Sequence, residues 1–348
     1  MKNILCLPGD GIGPEIMKSA LAVLAAAAPM YGFVYELREE AFGGAGIDRH
    51  GHPFADCVKE AMGRADAVLL GAIGGPKWDD ASVRPEQGLL AMRKFLGVYA
   101  NVRPLKVHPN LAYLSPLKED IVSGTDLVIV RELTGGAYFG EPRELLEDFA
   151  RDSITYSRAE IERIARYAFE TAMKRDRRVT SVDKANVLAS SKLWRSVVCE
   201  VAKEYPAVTL EHMYVDAMAM ALVTNPKRYD VIVTENLFGD ILSDEASVLG
   251  GSLGLLSSGS FGADGPALYE PAHGSAPDIA GQNIANPIAM IYSLTMMLRY
   301  SFGATAMADA IDKAVDDTLR SGAMTKDLNP DEWLSATDWT QRVIDALR

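Results

Sequence analysis

Short apolar runs alternate along this chain with longer segments of helical period. Residues 4–7, 67–70 and 230–233 are buried-strand patterns, apolar and rich in β-branched residues. Between them lie helical stripes, such as the apolar positions 161, 164, 165, 168 and 172 behind a Ser157–Glu160 capping box. The alternation predicts an α/β fold. Residues 250–267 are rich in glycine and serine and predict a loop or a crossover connection, and 306–320 is the last predicted helix.

Ionisable residues follow the predicted strands. They stand at strand ends or helix starts, namely Arg131, Lys184, Asp216, Asp240 and Asp244. Such positions converge on one edge of an α/β sheet, where ligands bind, so a shared site is expected.

The segment from Thr234 to Asp244 is the most informative stretch. Gly239 predicts a flexible turn, and Ile241 onward predicts a helix with Asp240 and Asp244 on one face near its start. Two readings are open for these carboxylates: ligands of a hard divalent cation, or acids favoured by the helix dipole on a solvated face.

Three arginines are candidates for binding an anionic substrate. Arg93 shares a helix face with Leu89 and Leu90, and Arg103 precedes a proline in an extended segment. Together with Arg131 they suit bidentate carboxylate recognition, although each alone could be a surface ion pair.

The glycine-rich loop after the first strand does not follow the dinucleotide fingerprint. Its glycines at 9, 11 and 13 do not have G-x-G-x-x-G spacing, and Pro14 suits the start of a helix. The sequence gives little support to a phosphate-loop kinase, because no G-x-x-x-x-G-K-[ST] motif occurs.

Composition narrows the class further. The chain has 348 residues, which favours about two domains, and its formal charge of −12 argues against nucleic-acid or anionic-membrane partners. Cys6, Cys57 and Cys199 show no metal-ligand or redox spacing, and the most apolar helix, 288–298, is shorter than the ~20 residues of a membrane span. A reduced, cytoplasmic protein is expected.

Motifs spread over nearly the whole chain resemble the isocitrate/isopropylmalate dehydrogenase family, the metal-dependent β-decarboxylating dehydrogenases of 2-hydroxy acids. The matching segments are Gly9-Asp10-Gly11-Ile12-Gly13-Pro14-Glu15, Gly88-Leu89-Leu90, Arg131-Glu132-Leu133-Thr134-Gly135-Gly136, Asp183-Lys184-Ala185-Asn186, Asn236-Leu237-Phe238-Gly239-Asp240-Ile241-Leu242-Ser243-Asp244 and His273-Gly274-Ser275-Ala276-Pro277-Asp278.

The resemblance implies a two-domain α/β fold with a cleft between the domains, which is not a Rossmann fold. Residues 1–98 plus 252–348 would form the cofactor-binding domain. Residues 99–251 would form a second domain that carries the metal and substrate residues and makes a homodimer.

The resemblance also implies the roles of individual residues. Arg93, Arg103 and Arg131 would bind a dicarboxylate substrate, and Asp240 and Asp244 would bind Mg²⁺ or Mn²⁺. Lys184, as the base, and Asp216, as a further metal and substrate ligand, would enter from the partner subunit, and Tyr138 would be the acid.

Substrate and cofactor follow from the same resemblance. Glu86, Leu89 and Leu90 match the members that oxidise isopropylmalate in leucine biosynthesis, where leucines contact the branched alkyl group. NAD would be bound by Ile12, Asn286 and the loop His273, Gly274, Ser275, Ala276, Pro277 and Asp278, with Asp278 on the adenosine ribose, where it would repel the 2′-phosphate of NADP.

Other readings stay open at this stage. Within the class, the substrate could be tartrate, homoisocitrate or a short alkylmalate, because an apolar pocket discriminates one methylene only ~10–200-fold. From another class, the chain could be a metal-dependent anion-binding protein without turnover.

Overall fold

The computed structural model describes residues 1–79 and 82–348. Its strands are β1 (Lys2–Gly9), β2 (Tyr35–Glu39), β3 (Ala67–Ala72), β4 (Ala100–Lys106), β5 (Asp126–Glu132), β6 (Glu144–Leu145), β7 (Ala150–Arg151), β8 (Arg178–Asp183), β9 (Thr209–Tyr214), β10 (Val231–Thr234), β11 (Ser257–Phe261) and β12 (Ala267–Pro271). Its α-helices are α1 (Gly13–Ala27), α2 (Gly44–His50), α3 (Asp56–Met62), α4 (Pro85–Leu96), α5 (Glu119–Val122), α6 (Arg158–Met173), α7 (Ala189–Ala202), α8 (Val215–Thr224), α9 (Asn236–Ser247), α10 (Ile288–Tyr300), α11 (Thr305–Arg320) and α12 (Ala336–Ala346).

The chain divides into two compact units. One contains Met1–Val98 and Ser252–Arg348, and the other contains Tyr99–Gly251. The functions that the sequence assigns to these two parts, cofactor binding and dimerisation, stay predictions.

In the first unit, β2, β1, β3 and β12 pair in that order as parallel neighbours, and β11 pairs antiparallel with β12. Strand β3 is buried along its whole length, as expected of a parallel strand covered on both faces. Helices α1, α10, α11 and α12 pack on one another, and the buried Trp339 of α12 donates its indole N–H to the carbonyl of Ala323 at 3.0 Å.

Two predictions about this unit were wrong. Residues 250–267 are not a continuous loop, because they contain β11, whose small residues Ser257, Ser258 and Ser260 are buried. The helix over 306–320 is not the last one, since Ser335 caps α12 by accepting the N–H of Asp338 at 3.1 Å. By contrast, Pro14 lies in the first turn of α1, as predicted.

In the second unit, β5, β10, β8 and β9 are parallel neighbours in that order, and β4 pairs antiparallel with β5. Helix α6 begins with the predicted capping box, in which the side chains of Ser157 and Glu160 each bond the other's backbone. Strands β6 and β7 form a short hairpin whose residues are exposed. Among the described residues, no helix is long and apolar enough to cross a membrane.

Candidate active site

The parallel strands of the second unit deliver the predicted polar residues to one edge. Arg131 is the penultimate residue of β5, Lys184 follows the end of β8, and Asp216 is the second residue of α8, directly after β9. Asp240 and Asp244 lie on α9, which follows β10. Since these strands are parallel neighbours, their carboxyl ends lie at the same edge of the sheet.

The predicted start of α9 was wrong. The helix begins at Asn236 rather than near Ile241, with Glu235 at the N-cap, so Gly239 lies inside the helix and not in a turn. A Cβ atom at Gly239 would come within 2.6 Å of Cγ of Arg131. The glycine is therefore required for the close approach of this arginine to the helix.

The carboxylate of Asp240 is the centre of a charged cluster. It accepts hydrogen bonds from the guanidinium of Arg131 and from the hydroxyl of Tyr138, the latter at 2.8 Å. Arg103 lies 3.6 Å from Asp240 and 3.3 Å from Asp244, measured between guanidinium nitrogen and carboxylate oxygen. Both arginines are buried, while Asp240 and Asp244 are 32% and 67% exposed at their side chains. Two buried cations therefore face carboxylates that solvent or a ligand can reach.

This environment changes the acidity of two members of the cluster. Burial raises the pKa of Tyr138, and the hydrogen bond to Asp240 and its charge add to the effect. Burial also raises the pKa of Asp244, which the charge of Asp240 reinforces and that of Arg103 opposes. Tyr138 therefore keeps its proton at neutral pH, as a general acid must.

Several residues that the sequence reasoning did not single out hold Arg131 and Arg103 in place. The amide oxygen of Asn236 accepts from Nε and Nη2 of Arg131 at 3.0 and 2.7 Å, and its amide nitrogen donates to the carbonyl of Gly135 at 3.1 Å. Arg103 donates to Ser243 at 2.7 Å and to Asn101 at 2.8 Å. Asn236 and Ser243 both stand inside the motif around Asp240, where their polar character was the available signal.

Lys184 and Asp216 form a pair of their own. The ammonium of Lys184 donates to the carboxylate of Asp216, and this hydrogen bond lowers the pKa of Asp216. Arg195 makes two hydrogen bonds of 2.8 Å to the buried Asp183 and so fixes the residue next to Lys184.

The donor set of α9 fits a hard divalent cation. Carboxylate oxygens are the ligands that Mg²⁺ and Mn²⁺ prefer, and a cation would offset both the burial of Asp244, the main cause of its raised pKa, and the smaller repulsion from Asp240. Among the described residues, oxygens of Asp216, Asp240 and Asp244 do not all gather within 4.8 Å of one another in one chain.

The first unit contains the remaining predicted substrate residues. On α4, Arg93 is buried and pairs with Glu270 of β12 at 3.1 Å, while its Nε atom has no hydrogen-bond partner. The half-buried Leu89 and Leu90 precede it on the helix. Glu86 is exposed, and a Cβ atom at Gly74 would lie 2.8 Å from its Oε1. The sequence reasoning gave no role to Glu270, although it directly precedes Pro271, the last residue of β12 before the predicted cofactor loop.

The predicted cofactor loop touches the first glycine-rich loop of the same unit. The N–H of Ile12 donates to the carbonyl of Ser275 at 2.8 Å, and a Cβ atom at Gly11 would meet that carbonyl oxygen at 2.0 Å. The carboxylate of the buried Asp10 fixes the neighbouring backbone by accepting the N–H groups of residues 44, 45 and 74. The glycine at position 11 is thus needed for loop packing.

Within this loop, His273 offers an unused hydrogen-bonding atom. Its Nε2 is buried without a partner, its Nδ1 lies 2.9 Å from the carbonyl of Gly274, and burial lowers its pKa. A neutral imidazole of this kind fits a polar group of a dinucleotide. Pro277 and Asp278 are exposed, and Ala276 has a φ of +38°.

Asn286 is engaged within the fold. Its amide oxygen accepts the N–H of Ile288 at 2.9 Å, and its amide nitrogen donates to Asp327 at 3.0 Å. Its side chain therefore binds the first N–H of α10 and ties it to Asp327.

Comparison with known proteins gives the family of this chain. The model of the isocitrate/isopropylmalate dehydrogenase family matches residues 3–347. The chain therefore belongs to the isocitrate/isopropylmalate dehydrogenase family and is a decarboxylating oxidoreductase that acts on a small molecule. This family uses a divalent metal and NAD.

Individual relatives are close. The chain is 59% identical over 342 residues to a 3-isopropylmalate dehydrogenase of Listeria monocytogenes, covering 98% of this chain and 97% of that protein. It is 59% identical over 327 residues to the Streptococcus thermophilus protein of the same name, with 94% of each chain covered.

Solved structures give the same fold. Isocitrate dehydrogenase from Methylococcus capsulatus is similar with a TM-score of 0.91 and 35% identity, with 100% of both chains covered. The β-decarboxylating dehydrogenase of Thermococcus kodakarensis has a TM-score of 0.83 and 38% identity, covering 100% of this chain and 96% of that one. The predicted α/β fold of this family, distinct from a Rossmann fold, is confirmed.

Proposed function

We propose that this protein oxidises 3-isopropylmalate with NAD and decarboxylates it to 4-methyl-2-oxopentanoate and CO₂, a reaction of leucine biosynthesis. The observation that carries the proposal is the cluster in which Arg131 and Tyr138 both bond the carboxylate of Asp240, with Arg103 and Asp244 beside it. The relatives named 3-isopropylmalate dehydrogenase support the choice of substrate.

The arginines bind the two carboxylates of the substrate. Arg103 and Arg131 are buried and already oriented by Asn101, Ser243 and Asn236, so little side-chain entropy is lost when they bind an anion. Arg93 has a free Nε donor that a third contact can use.

Asp240 and Asp244, with Asp216 of a second copy, hold Mg²⁺ or Mn²⁺. This metal, when bound, supplies Lewis acidity at the substrate's C2 oxygen, and NAD supplies the hydride acceptor. Lys184 takes the proton of the C2 hydroxyl while the C2 hydride leaves.

Decarboxylation follows from the β-keto acid. The bond between C3 and its carboxyl group breaks, CO₂ leaves, and the electron pair forms an enolate. Tyr138, whose pKa is raised by burial and by Asp240, keeps the proton that it delivers to C3.

Leu89 and Leu90 favour an alkyl side group over a third carboxylate. Burying an unpaired charge against two leucines is costly, so isocitrate is a poor substrate. His273 offers its unpaired Nε2 to the dinucleotide. Asp278, beside the ribose, repels a 2′-phosphate and so selects NAD over NADP.

A homodimer completes the proposal. Helices α8 and α9 expose Met220, Val223 and Ile241, Val248 is exposed directly after α9, and the β6–β7 hairpin exposes Leu145. Apolar side chains so exposed on adjacent elements are typical of a subunit interface.

The test follows NADH formation by absorbance with Mg²⁺ or Mn²⁺. Parallel reactions contain 3-isopropylmalate, isocitrate or tartrate, with NADP and a chelator as controls. Metal-dependent reduction of NAD with 3-isopropylmalate far above the others supports the proposal. Preference for another hydroxy acid overturns the pocket assignment, and no turnover with any of them overturns the enzymatic one.

The shared site has its own test. Co-expressed Lys184→Ala and Asp240→Asn chains form heterodimers with one intact site if Lys184 serves the partner, restoring roughly a quarter of wild-type activity. If each chain uses its own lysine, the mixture stays as inactive as the two single variants.

A further inference from the structure

A side-chain cluster that contains none of the predicted site residues brings together three different metal-binding groups. Glu40 directly follows β2, His50 ends α2, and Cys57 is the second residue of α3. One carboxylate oxygen, one imidazole nitrogen and the sulfur of these residues all lie within 4.8 Å of one another. Among the described residues, this is the one such group of three.

The spacing of the donors is close to that of a metal site. Nε2 of His50 lies 3.9 Å from Sγ of Cys57. Two ligands of tetrahedral zinc, with bonds of about 2.3 Å to sulfur and 2.0–2.1 Å to nitrogen, lie about 3.5 Å apart. A shift of about 0.4 Å, which rotation of an exposed imidazole can supply, brings this pair to that separation.

The carboxylate of Glu40 is already oriented. Nε and Nη2 of Arg38 donate to its Oε1 at 2.9 and 2.7 Å, which leaves Oε2 for another partner. Ligating carboxylates in metal sites are commonly held by such a hydrogen bond. Glu40 and Cys57 are half-buried and His50 is exposed, so an ion can enter from solvent.

From this geometry we propose that Glu40, His50 and Cys57 form a second metal site, which takes a borderline-soft divalent cation such as Zn²⁺. One thiolate, one imidazole and one carboxylate suit Zn²⁺ rather than Mg²⁺, which prefers oxygen ligands alone. The ion ties α2 and α3 to the end of β2 and leaves a fourth position to water. It does not take part in the proposed dehydrogenase chemistry.

Cobalt reports on this site directly, because Co²⁺ bound to a thiolate gives a ligand-to-metal charge-transfer band in the near ultraviolet. Reduced, metal-free protein is titrated with Co²⁺ in excess Mg²⁺, which occupies the oxygen-ligand site. We expect a band that saturates at about one Co²⁺ per chain, is displaced by Zn²⁺ and disappears in Cys57→Ser.

Matched variants make the test decisive. Cys199 also lies beside a histidine, with 3.2 Å from its Sγ to Nε2 of His212, so Cys199→Ser must keep the band. Glu40→Gln should weaken Co²⁺ affinity by about tenfold or more, while Glu39→Gln should not change it. Circular dichroism checks that each variant is folded.

Any one of three results overturns the proposal. They are the absence of a band in the wild-type protein, a band that survives Cys57→Ser but not Cys199→Ser, and equal Co²⁺ affinity in Glu40→Gln and Glu39→Gln. A thermal shift offers a second readout, since Zn²⁺ that binds only the folded state must raise the Tm of the wild-type protein and not that of Cys57→Ser.

Discussion

Glu235 is a buried acid at the N-cap of α9, and replacing it with glutamine should stabilise the protein in a pH-dependent way. Its side chain is 4% exposed, and its Oε1 has no hydrogen-bond partner. Burial raises its pKa from 4.5 to about 7, and the nearby charges of Asp183 and Glu132 add to the effect. At pH values between these two pKa values, the carboxyl group is neutral in the folded protein and ionised in the unfolded chain.

The sign and size follow from this pKa. The contribution of Glu235 to stability is fully present below pH 4.5 and is lost as the pH rises through about 7, because the folded state binds its proton more tightly. At about 1.4 kcal/mol per pH unit, the cost of Glu235 is about 2 kcal/mol at pH 6 and about 3 kcal/mol at pH 8. The glutamine of Glu235→Gln cannot ionise, so the stability of the variant does not fall with pH in this way.

The assay is urea unfolding of wild-type and Glu235→Gln protein at pH 6 and pH 8 without divalent metal. We expect the free energy of unfolding of the variant to exceed that of the wild type by about 1 kcal/mol more at pH 8 than at pH 6. Glu60→Gln, at an exposed position on α3, is the matched control and should change stability by less than about 0.5 kcal/mol at either pH. If the free energy of unfolding differs between Glu235→Gln and wild type by the same amount at both pH values, Glu235 is already ionised in the folded state at the lower pH. That result would refute the reasoning.

The remaining predictions concern the proposed site and the core. Tyr138→Phe should lower kcat about 10²- to 10⁴-fold in steady-state NADH assays, with little change in KM, because it removes the proton donor but not the arginines; an unchanged kcat would exclude Tyr138 as the acid. Leu90→Ser should raise isocitrate turnover relative to 3-isopropylmalate, and an unaltered ratio of the two kcat/KM values would argue against the pocket. Asp278→Ala should narrow the ratio of kcat/KM for NAD to that for NADP, which must stay unchanged if Asp278 is only a cap. Arg175→Met should destabilise the protein by about 3–5 kcal/mol in urea unfolding, since it leaves the buried Asp230 without its 2.7 Å ion pair; Arg178→Met, at an exposed position, is the control.

Several parts of this protein could be derived from the sequence alone. Short apolar runs and period-3.6 stripes predicted the α/β class, and local signals such as the Ser157–Glu160 box and Pro14 marked helix starts, because capping depends on neighbouring residues only. The position of charged residues directly after strands predicted where a site would lie. These features depend on short-range chemistry that the sequence displays.

Local patterns were misleading where tertiary contacts determine the role of a residue. Gly239 looked like a turn, but the structure places it inside α9 because the side chain of Arg131 occupies the space that a Cβ would need. The serine-rich segment looked like a loop, but pairing with β12 makes β11 a strand.

Only the tertiary structure could bring Glu40, His50 and Cys57 together. Their spacing of 10 and 7 residues matches no ligand motif, and Cys57 showed no metal-ligand spacing when the sequence was considered by itself. The packing of α2 and α3 beside β2 creates the cluster from residues distant in the chain. The sequence determined most of the helices and strands, because these follow from local pattern, and the roles proposed for the site residues stay predictions. The folded chain decided which side chains meet, because distances between elements are set by packing.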